Sequence, residues 1–324
     1  MSVSYGHNSQ ELLTPVPEEQ LLVWLAEFYG KHVEIGKREV LCHRDLSYVE
    51  RLWITDGLPD SLIYKLVLPP WDVEQDLHER VLIPSISNSA QLYLSAHRGP
   101  LTALFLEDLG TKSLAIAGNA EVAASVGKEL AKMHRAYSYR TDELMQTNVL
   151  RTILPLDYGQ FTGALIGQLV EWGMIDPEAE KKLLNLARSL AAKLAGEPIS
   201  LVHGDLFAEN IIQRGERLFI IDWSWFTALG VPLMDLATLT LEHPKNAGFS
   251  RWKQEVIEAY CFESARETGD VRALLPFAER LSKLFFLEWL MERHRLGKTN
   301  STMVPPEEVI PSVVKELADL SELG

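Results

Sequence analysis

The chain has 324 residues, 47% of them hydrophobic, and its formal net charge at pH 7 is −14. These values fit a globular protein with a large core, and the acidic balance argues against a nucleic-acid binder, which needs a basic face. The two cysteines, Cys42 and Cys261, lie far apart in the sequence and predict free thiols in a reducing compartment.

The N-terminal residues lack the basic and apolar segments of a signal peptide. No apolar run approaches the roughly 18 residues that a membrane-spanning helix needs. We therefore expect a cytoplasmic protein that binds neither nucleic acid nor membrane. The sequence leaves the oligomeric state open between monomer and homodimer.

The first third of the chain predicts strands, with one helix before them and one among them. Apolar residues at helical spacing predict a helix over residues 18–29. Asp72 predicts the start of a second helix, which runs to about Ile83 because Pro84 ends it. Apolar runs bounded by turn residues predict five strands, at Glu39–His43, Tyr48–Ile54, Leu62–Leu68, Gln91–Ala96 and Leu101–Glu107.

Beyond Gly110 the pattern becomes mainly helical, with one strand pair at 211–213 and 218–221. Strands in the first third and helices in the rest indicate an α+β fold with two lobes, 1–108 and 109–324. The predicted helices are 119–137, 158–171, 177–195, 232–242, 251–268, 271–294 and 306–322.

Residues 201–235 carry the most informative pattern. The two strands flank the segment 214–217, which predicts a β-hairpin with a four-residue loop. Asn210 directly precedes the first strand and Asp222 directly follows the second, so both are expected at the open end of the hairpin, roughly 5 Å apart at Cα. An amide oxygen and a carboxylate there suit Mg²⁺, which prefers oxygen ligands.

Asp205 lies five residues before Asn210, in the loop that precedes the hairpin. A second carboxylate beside a metal site can orient a substrate hydroxyl and accept its proton. The alternative is that His203-Gly204-Asp205 is simply a turn and that Asp222 caps a strand.

The segment HGDLFAEN, followed by IIDW, resembles the catalytic loop and metal-binding segment of the aminoglycoside phosphotransferase / choline kinase-like superfamily. The resemblance rests on five fixed positions with matched spacing. It implies that Asp205 is the catalytic base, that His203 braces the loop, and that Asn210 and Asp222 bind Mg²⁺. Asp235 resembles the family's helix-borne aspartate that supports this loop, although the helix dipole alone also favours an acid there.

The same resemblance implies a two-lobed protein-kinase-like fold. Residues 1–108 would be a small, mainly β, nucleotide-binding lobe, and residues 109–324 a larger, mainly helical lobe for catalysis and substrate. The segment ELAKMHRAY at 129–137 resembles a helix of this family whose expected role is packing.

Lys65 lies in a strand with two apolar faces, and a buried ammonium needs an anion. In the kinase-like fold that anion is the ATP phosphates together with a helix glutamate. Glu74 and Glu79 are the candidates, and we expect Glu79 because Leu82 and Ile83 follow it at helical spacing. The alternative is a lysine that snorkels from an edge strand.

Residues 104–110 resemble the family's strand-to-hinge segment, which implies that the Glu107 carbonyl and the Leu109 amide contact adenine. The segment at 42–54 contains no glycine, whereas protein kinases place a glycine-rich loop over the phosphates. Ser47 and Tyr48 lie where many aminoglycoside-type kinases carry a Ser-Asn or Ser-Thr pair, which implies that the Ser47 hydroxyl or amide is a candidate phosphate contact.

Only 12 residues separate Asp222 from Asp235, too few for an activation segment and a peptide-docking platform, so a small-molecule acceptor is expected. The aromatic residues that follow Asp222 are candidates to hold an ammonium group by cation–π contact, or the face of a sugar. These aromatic residues are Trp223, Trp225 and Phe226. The alternative is that they pack in the core.

Glu288 and Glu292 share a helix face and are candidates to hold amino groups of the acceptor. The alternative is that Glu292 pairs with Arg295 on a solvated face.

The sequence thus predicts an ATP- and Mg²⁺-dependent phosphotransferase that acts on a hydroxyl of a small molecule, namely an aminoglycoside, an amino alcohol or a sugar-like compound. The glycine-free segment motivates an alternative, a nucleotide-binding pseudoenzyme that acts through a protein partner. A third reading is a metal-dependent hydrolase that uses Asp205 and Asp222.

Overall fold

The computed structural model describes residues 13, 15–43, 47–297 and 304–320. The chain divides into two compact units, Met1–Gly110 and Thr111–Gly324. Strands dominate the first unit and helices the second, so the predicted α+β class is confirmed.

The first unit is built on a five-stranded antiparallel sheet with the strand order β1-β2-β3-β5-β4. Its first helix, α1, supplies Leu21 and Leu25 to a core shared with the sheet residues Leu52, Leu62 and Phe105. The elements are α1 (Glu18–Tyr29), β1 (Glu34–His43), β2 (Ser47–Thr55), β3 (Ser61–Val67), α2 (Val73–Arg80), α3 (Pro84–Ser87), β4 (Leu92–Arg98) and β5 (Leu101–Glu107).

The helix that was expected to run to Ile83 ends earlier, at Arg80. Ile83 is extended, with φ −106° and ψ 109°, because a residue before proline is disfavoured in the helical region. Pro84 then begins α3 instead of only ending α2, since proline suits the first position of a helix.

The second unit contains helices at all seven predicted places, although residues 321 and 322 lie outside the described residues. No helix of the described residues is long and apolar enough to cross a membrane. The helices are α4 (Leu114–Ala117), α5 (Ala120–Ser138), α6 (Thr141–Gln146), α7 (Tyr158–Glu171), α8 (Pro177–Leu194), α9 (Leu233–Thr240), α10 (Lys253–Ser264), α11 (Thr268–Arg295) and α12 (Pro306–Leu320).

The second unit also contains the predicted hairpin, formed by β8 (Ile211–Arg214) and β9 (Arg217–Ile220). The prediction of a four-residue loop is wrong. Arg214 and Arg217 pair with each other, which leaves a two-residue turn. Gly215 opens that turn with φ +64°, a conformation that glycine adopts without strain.

A short three-stranded sheet was not predicted. It has the order β6-β10-β7 and consists of β6 (Arg151–Thr152), β7 (Ser200–Val202) and β10 (Ala228–Gly230). Strands of two or three residues carry no measurable periodicity, so the sequence did not reveal them.

Helices α5 and α10 lie in close contact at Gly127. A Cβ atom there would lie 2.3 Å from the Val256 carbonyl oxygen and 3.0 Å from the Tyr260 nitrogen. A side chain at this position therefore forces the two backbones apart.

We expect Gly127→Ala to lower the free energy of unfolding by about 2–3 kcal/mol, the range of overpacking in a close-packed interior. Gly163→Ala in α7 is the matched control, because a Cβ there meets nothing within 4 Å. The control should stabilise by about 0.5–1 kcal/mol, since alanine loses less backbone freedom. Urea unfolding followed by circular dichroism measures both, and equal stabilities would contradict the close approach.

Candidate active site

The open end of the hairpin brings Asn210 and Asp222 together. Ile221 donates its backbone N–H to the Asn210 carbonyl at 2.9 Å. Asp222 is the next residue along the chain, so it directly follows the last backbone pair of the hairpin. Asp222 is exposed and has φ +62°, which is uncommon for a residue other than glycine and persists only where the surroundings fix it. The next residue, Trp223, is fully buried and donates its indole N–H to the Ile220 carbonyl at 3.1 Å.

Asp205 lies in the loop that follows β7. The Asn210 side-chain amide Nδ2 donates to the Asp205 carbonyl at 2.9 Å, which ties this loop to the start of the hairpin. Gly204 has φ +78°, and a Cβ there would lie 2.4 Å from the Phe226 carbonyl oxygen. Glycine is therefore required for the segment after Asp222 to pass so close to the loop.

The imidazole of His203 links the loop to the end of the hairpin. Its Nδ1 accepts the Asp205 N–H at 3.3 Å, and its Nε2 donates to the Ile221 carbonyl at 3.0 Å. These two contacts require the neutral tautomer with the proton on Nε2. The ring also packs against Trp223, with centroids 4.8 Å apart.

Asp235, in the first turn of α9, is completely buried beneath the loop. Its Oδ2 accepts the backbone N–H of His203 and its Oδ1 that of Gly204, both at 2.8 Å. His134 of α5 contributes a third contact from Nε2, at 3.2 Å, and bonds the Tyr260 hydroxyl through Nδ1. His134 was expected only to pack, whereas the structure places it in a hydrogen-bonded chain with this carboxylate.

Lys245 was not found from the sequence, yet it lies at this site. Its Nζ is 2.9 Å from Glu209 Oε1 and 3.6 Å from Asp205 Oδ2, and it lies 4.8 Å from the centroid of the Phe207 ring. The neighbouring Asn246 is fully buried and accepts the Ala208 N–H at 2.8 Å. Lys245 is 40 residues from Asp205 in sequence, so no local spacing connects the two.

Charge and burial shift the pKa values of Asp205 and Lys245 in opposite directions. Burial raises the pKa of Asp205 above its usual value, and the Lys245 ammonium opposes that rise. Burial also lowers the pKa of Lys245, but Asp205 and Glu209 outweigh it and raise that pKa overall. The lysine and the carboxylate thus stabilise each other's charged form.

In the first unit, Lys65 is buried on the central strand β3, as predicted, and its Nζ lies 2.6 Å from Glu74 Oε2. The prediction that Glu79 pairs with Lys65 is wrong. Glu79 is exposed and accepts hydrogen bonds from Gln75 and Ser95 instead. The apolar residues that suggested burial of Glu79 lie beyond the end of α2, whereas Glu74 shares the buried face with Leu77.

The segment that was compared with a hinge is held by Arg51 of β2. Arg51 Nε lies 2.7 Å from Asp108 Oδ2 and Nη2 lies 3.1 Å from Oδ1, and the carboxylate also accepts the Gly110 N–H. Glu107 and Leu109 flank this anchored residue. Ser47 begins β2 opposite Val67, and the three residues before it lie outside the described residues.

The aromatic and acidic residues that were candidates for the acceptor already have partners. Trp223 is core, while the Trp225 ring lies 4.4 Å from the Arg151 guanidinium carbon. Arg151 Nη1 in turn lies 2.5 Å from Glu288 Oε2. Glu292 pairs with Arg295 at 2.5 Å, so the alternative reading of Glu292 is confirmed.

We expect Asp235→Asn to lower the free energy of unfolding by about 3 kcal/mol, because the two backbone N–H groups lose a charged acceptor and one faces an amide NH₂. Asp176→Asn is the matched control. Asp176 caps α8 by accepting the Ala179 N–H at 2.8 Å, and asparagine caps a helix equally well. Chemical unfolding measures both variants; a similar loss in each would contradict the special role of Asp235.

Comparison with known proteins places this site in context. Residues 84–275 match the phosphotransferase enzyme family (APH). No curated protein sequence matches the chain.

Several solved structures share the fold. A Plasmodium vivax ethanolamine kinase has a TM-score of 0.66 at 14% identity, over 98% of this chain and 97% of that one. A mutant aminoglycoside 2'-phosphotransferase in complex with GDP has a TM-score of 0.64 at 14% identity, over 95% and 98%. A spectinomycin phosphotransferase in complex with ADP and spectinomycin has a TM-score of 0.56 at 13% identity, over 95% and 99%.

The expected fold, a mainly β N-terminal part followed by a larger helical part, is therefore confirmed, as is the resemblance to the aminoglycoside phosphotransferase / choline kinase-like superfamily. The family match covers more than half of the 324 residues. The chain belongs to the phosphotransferase enzyme family.

Proposed function

We propose that this protein transfers the γ-phosphoryl group of ATP to a hydroxyl of a small molecule. The observation that carries this proposal is the grouping of Asp205, Asn210 and Asp222 around the open end of one hairpin. The buried Lys65–Glu74 pair of the first unit supports it separately, because a lysine held by a helix glutamate is the triphosphate contact of kinase-like folds.

Asn210 and Asp222 are the residues that would hold Mg²⁺. Asn210 commits its Nδ2 to the loop, which leaves its Oδ1 as the ligand atom, and Asp222 offers an exposed carboxylate. Among the described residues no group of three or more His, Cys, Asp or Glu could hold a metal. Two protein ligands still suit Mg²⁺, which usually keeps its other positions for water and phosphate oxygens. When bound, the ion supplies positive charge to those phosphate oxygens.

Asp205 would orient the acceptor hydroxyl and take its proton as the new P–O bond forms and the bond to ADP breaks. The loop that carries Asp205 is fixed at the backbone of His203 and Gly204 by Asp235, so the carboxylate is positioned before substrate binds. Lys245 balances the charge of Asp205 and adds a cation beside the reacting groups.

The nucleotide contacts are proposed on the same grounds. Lys65 would bind the phosphates, and Ser47 would bind a phosphate oxygen. The Glu107 carbonyl and the Leu109 amide would contact the adenine ring. The Arg51–Asp108 pair supports the adenine contacts, because it anchors the backbone between Glu107 and Leu109. Solved relatives in complex with ADP and with GDP agree with a nucleotide cosubstrate.

The short interval between Asp222 and Asp235 supports a small acceptor, here an aminoglycoside, an amino alcohol or a sugar-like compound. A second candidate function, a nucleotide-binding pseudoenzyme with a protein partner, is motivated by the absence of glycine between residues 42 and 54. It predicts ATP binding with no turnover on any acceptor. A metal-dependent hydrolase would leave the Lys65–Glu74 pair without a role.

We expect Asp205→Asn to lower kcat by about 10²–10⁴-fold, the usual contribution of a positioned general base. ATP affinity should stay within about threefold, because the amide keeps the shape of the loop. Asp222→Asn, in contrast, should abolish Mg²⁺-dependent ATP binding. ADP release over alcohol, amino-sugar and sugar acceptors, with nucleotide titrations in Mg²⁺ and in EDTA, separates the two effects. Full activity of Asp205→Asn would disprove its role.

We expect Glu74→Gln to raise the KM for ATP at least tenfold, because Lys65 loses the carboxylate that holds it. Glu79→Gln is the matched control in the same helix and should change KM less than twofold, since its partners are Gln75 and Ser95. Steady-state kinetics with varied ATP distinguishes them. Equal effects of the two substitutions on KM would contradict the assignment of Glu74 as the residue that holds Lys65.

A further inference from the structure

Arg151 lies at the same end of the short sheet as the loop that carries Asp205. In the sheet β6-β10-β7, Ala228 pairs with Val202 on one side and with Arg151 on the other. Val202 ends β7 and leads directly into His203, while Arg151 begins β6. Across two strand spacings, the Cα atoms of Val202 and Arg151 are roughly 10 Å apart.

The guanidinium of Arg151 is held rigidly in this place. Its Nη1 lies 2.5 Å from Glu288 Oε2, and its central carbon lies 4.4 Å from the Trp225 ring centroid and 4.6 Å from that of Phe285. Trp225 belongs to the segment that runs from Asp222 past Gly204, so Arg151 contacts the candidate active site through it.

The other edge of this guanidinium has no hydrogen-bond partner among the residues that the structure describes. Nε and Nη2 of Arg151 are buried, and neither makes a hydrogen bond within the described part of the chain. The same Nε–Nη2 edge binds a carboxylate with two hydrogen bonds in Arg38, Arg51 and Arg295. A buried cation with two unpaired N–H groups is unfavourable, and a planar pair of acceptor oxygens fits it.

We propose that Arg151 recognises an anionic group, a carboxylate or a phosphate, on the hydroxyl-bearing acceptor. This inference rests on the proposed function, since the anionic group would accompany the hydroxyl that Asp205 activates. Of the acceptor classes proposed above, this selects a sugar-like compound or alcohol that carries a carboxylate or a phosphate, in preference to an aminoglycoside or an amino alcohol.

The other charged groups near the site agree with an anionic acceptor. Glu288 is neutralised by Arg151 and Glu292 by Arg295, so neither is available to an amino group without breaking an ion pair. Lys245 lies beside Asp205, where it would repel an amine next to the reacting hydroxyl.

Access to the unpaired edge requires a neighbouring side chain to shift. Phe285 is 1% exposed and packed on all sides, whereas Trp225 is only partly buried. We therefore expect Trp225, and not Phe285, to be the side chain that moves when an anion binds Nε and Nη2.

The test is a binding experiment without nucleotide, using four probes on one six-carbon frame. Gluconate carries a carboxylate, glucose 1-phosphate a phosphate, glucose no charge and glucosamine an ammonium. We expect isothermal titration to give at least tenfold tighter binding of gluconate or glucose 1-phosphate than of glucose or glucosamine. The stronger of the two anions identifies the recognised group. Equal binding of all four probes, or preference for glucosamine, would overturn the proposal.

Two substitutions at the ion pair should act in opposite directions. Arg151→Met should reduce binding of the anionic probe to that of glucose, and Arg151→Lys should retain only part of it, because lysine lacks the two-pronged edge. Glu288→Gln should tighten anion binding, since it removes a negative charge next to the guanidinium that binds the anion. If the Arg151–Glu288 ion pair only stabilised the fold, Arg151→Met and Glu288→Gln would both weaken binding of the anionic probe. Arg188→Met, on an exposed face of α8, is the matched control and should change nothing.

Turnover assays with ATP keep this inference separate from the proposed function. If anionic probes bind through Arg151 but ATP phosphorylates no acceptor, the site stands and the proposed function fails. If neutral or cationic alcohols are phosphorylated while anionic ones are neither bound nor used, the proposed function stands and the anionic site fails.

Discussion

The candidate active site depends on one buried carboxylate. Asp235 accepts the backbone N–H groups of His203 and Gly204 and reaches α5 through His134. Two successive amides that point at one acceptor fix the direction of the chain as it leaves β7, and hence the position of Asp205. A fully buried carboxylate is tolerated only where several donors compensate it, so the loop and α9 stabilise each other through Asp235.

Ion pairs shape the rest of the second unit's site. Lys245 balances Asp205 and Glu209, and Arg151 balances Glu288. The chain carries an excess of 14 negative charges, yet the described acids around this site are largely matched by its own cations. Such matching favours selectivity over general attraction of cations, because any amine that enters must compete with a lysine or arginine already in place.

The sequence predicted best what depends on neighbours in the chain. The hairpin, the positions of Asn210 and Asp222 at its open end, and the burial of Lys65 all follow from local spacing, and the structure agrees. Glu79 was misjudged because the end of its helix was placed three residues too late. Lys245 and Arg151 could not be found, since each is brought to the site by tertiary packing across at least 40 residues.

The hairpin has a practical consequence that follows from its length. Its open end carries Asn210 and Asp222, and its closed end is an exposed turn at Gly215 and Glu216, four strand residues away. The turn is therefore a natural attachment point for a spectroscopic label or a surface tether. A probe coupled there would report from solvent on the element that carries both candidate metal ligands, while four residues of each strand separate those ligands from the label.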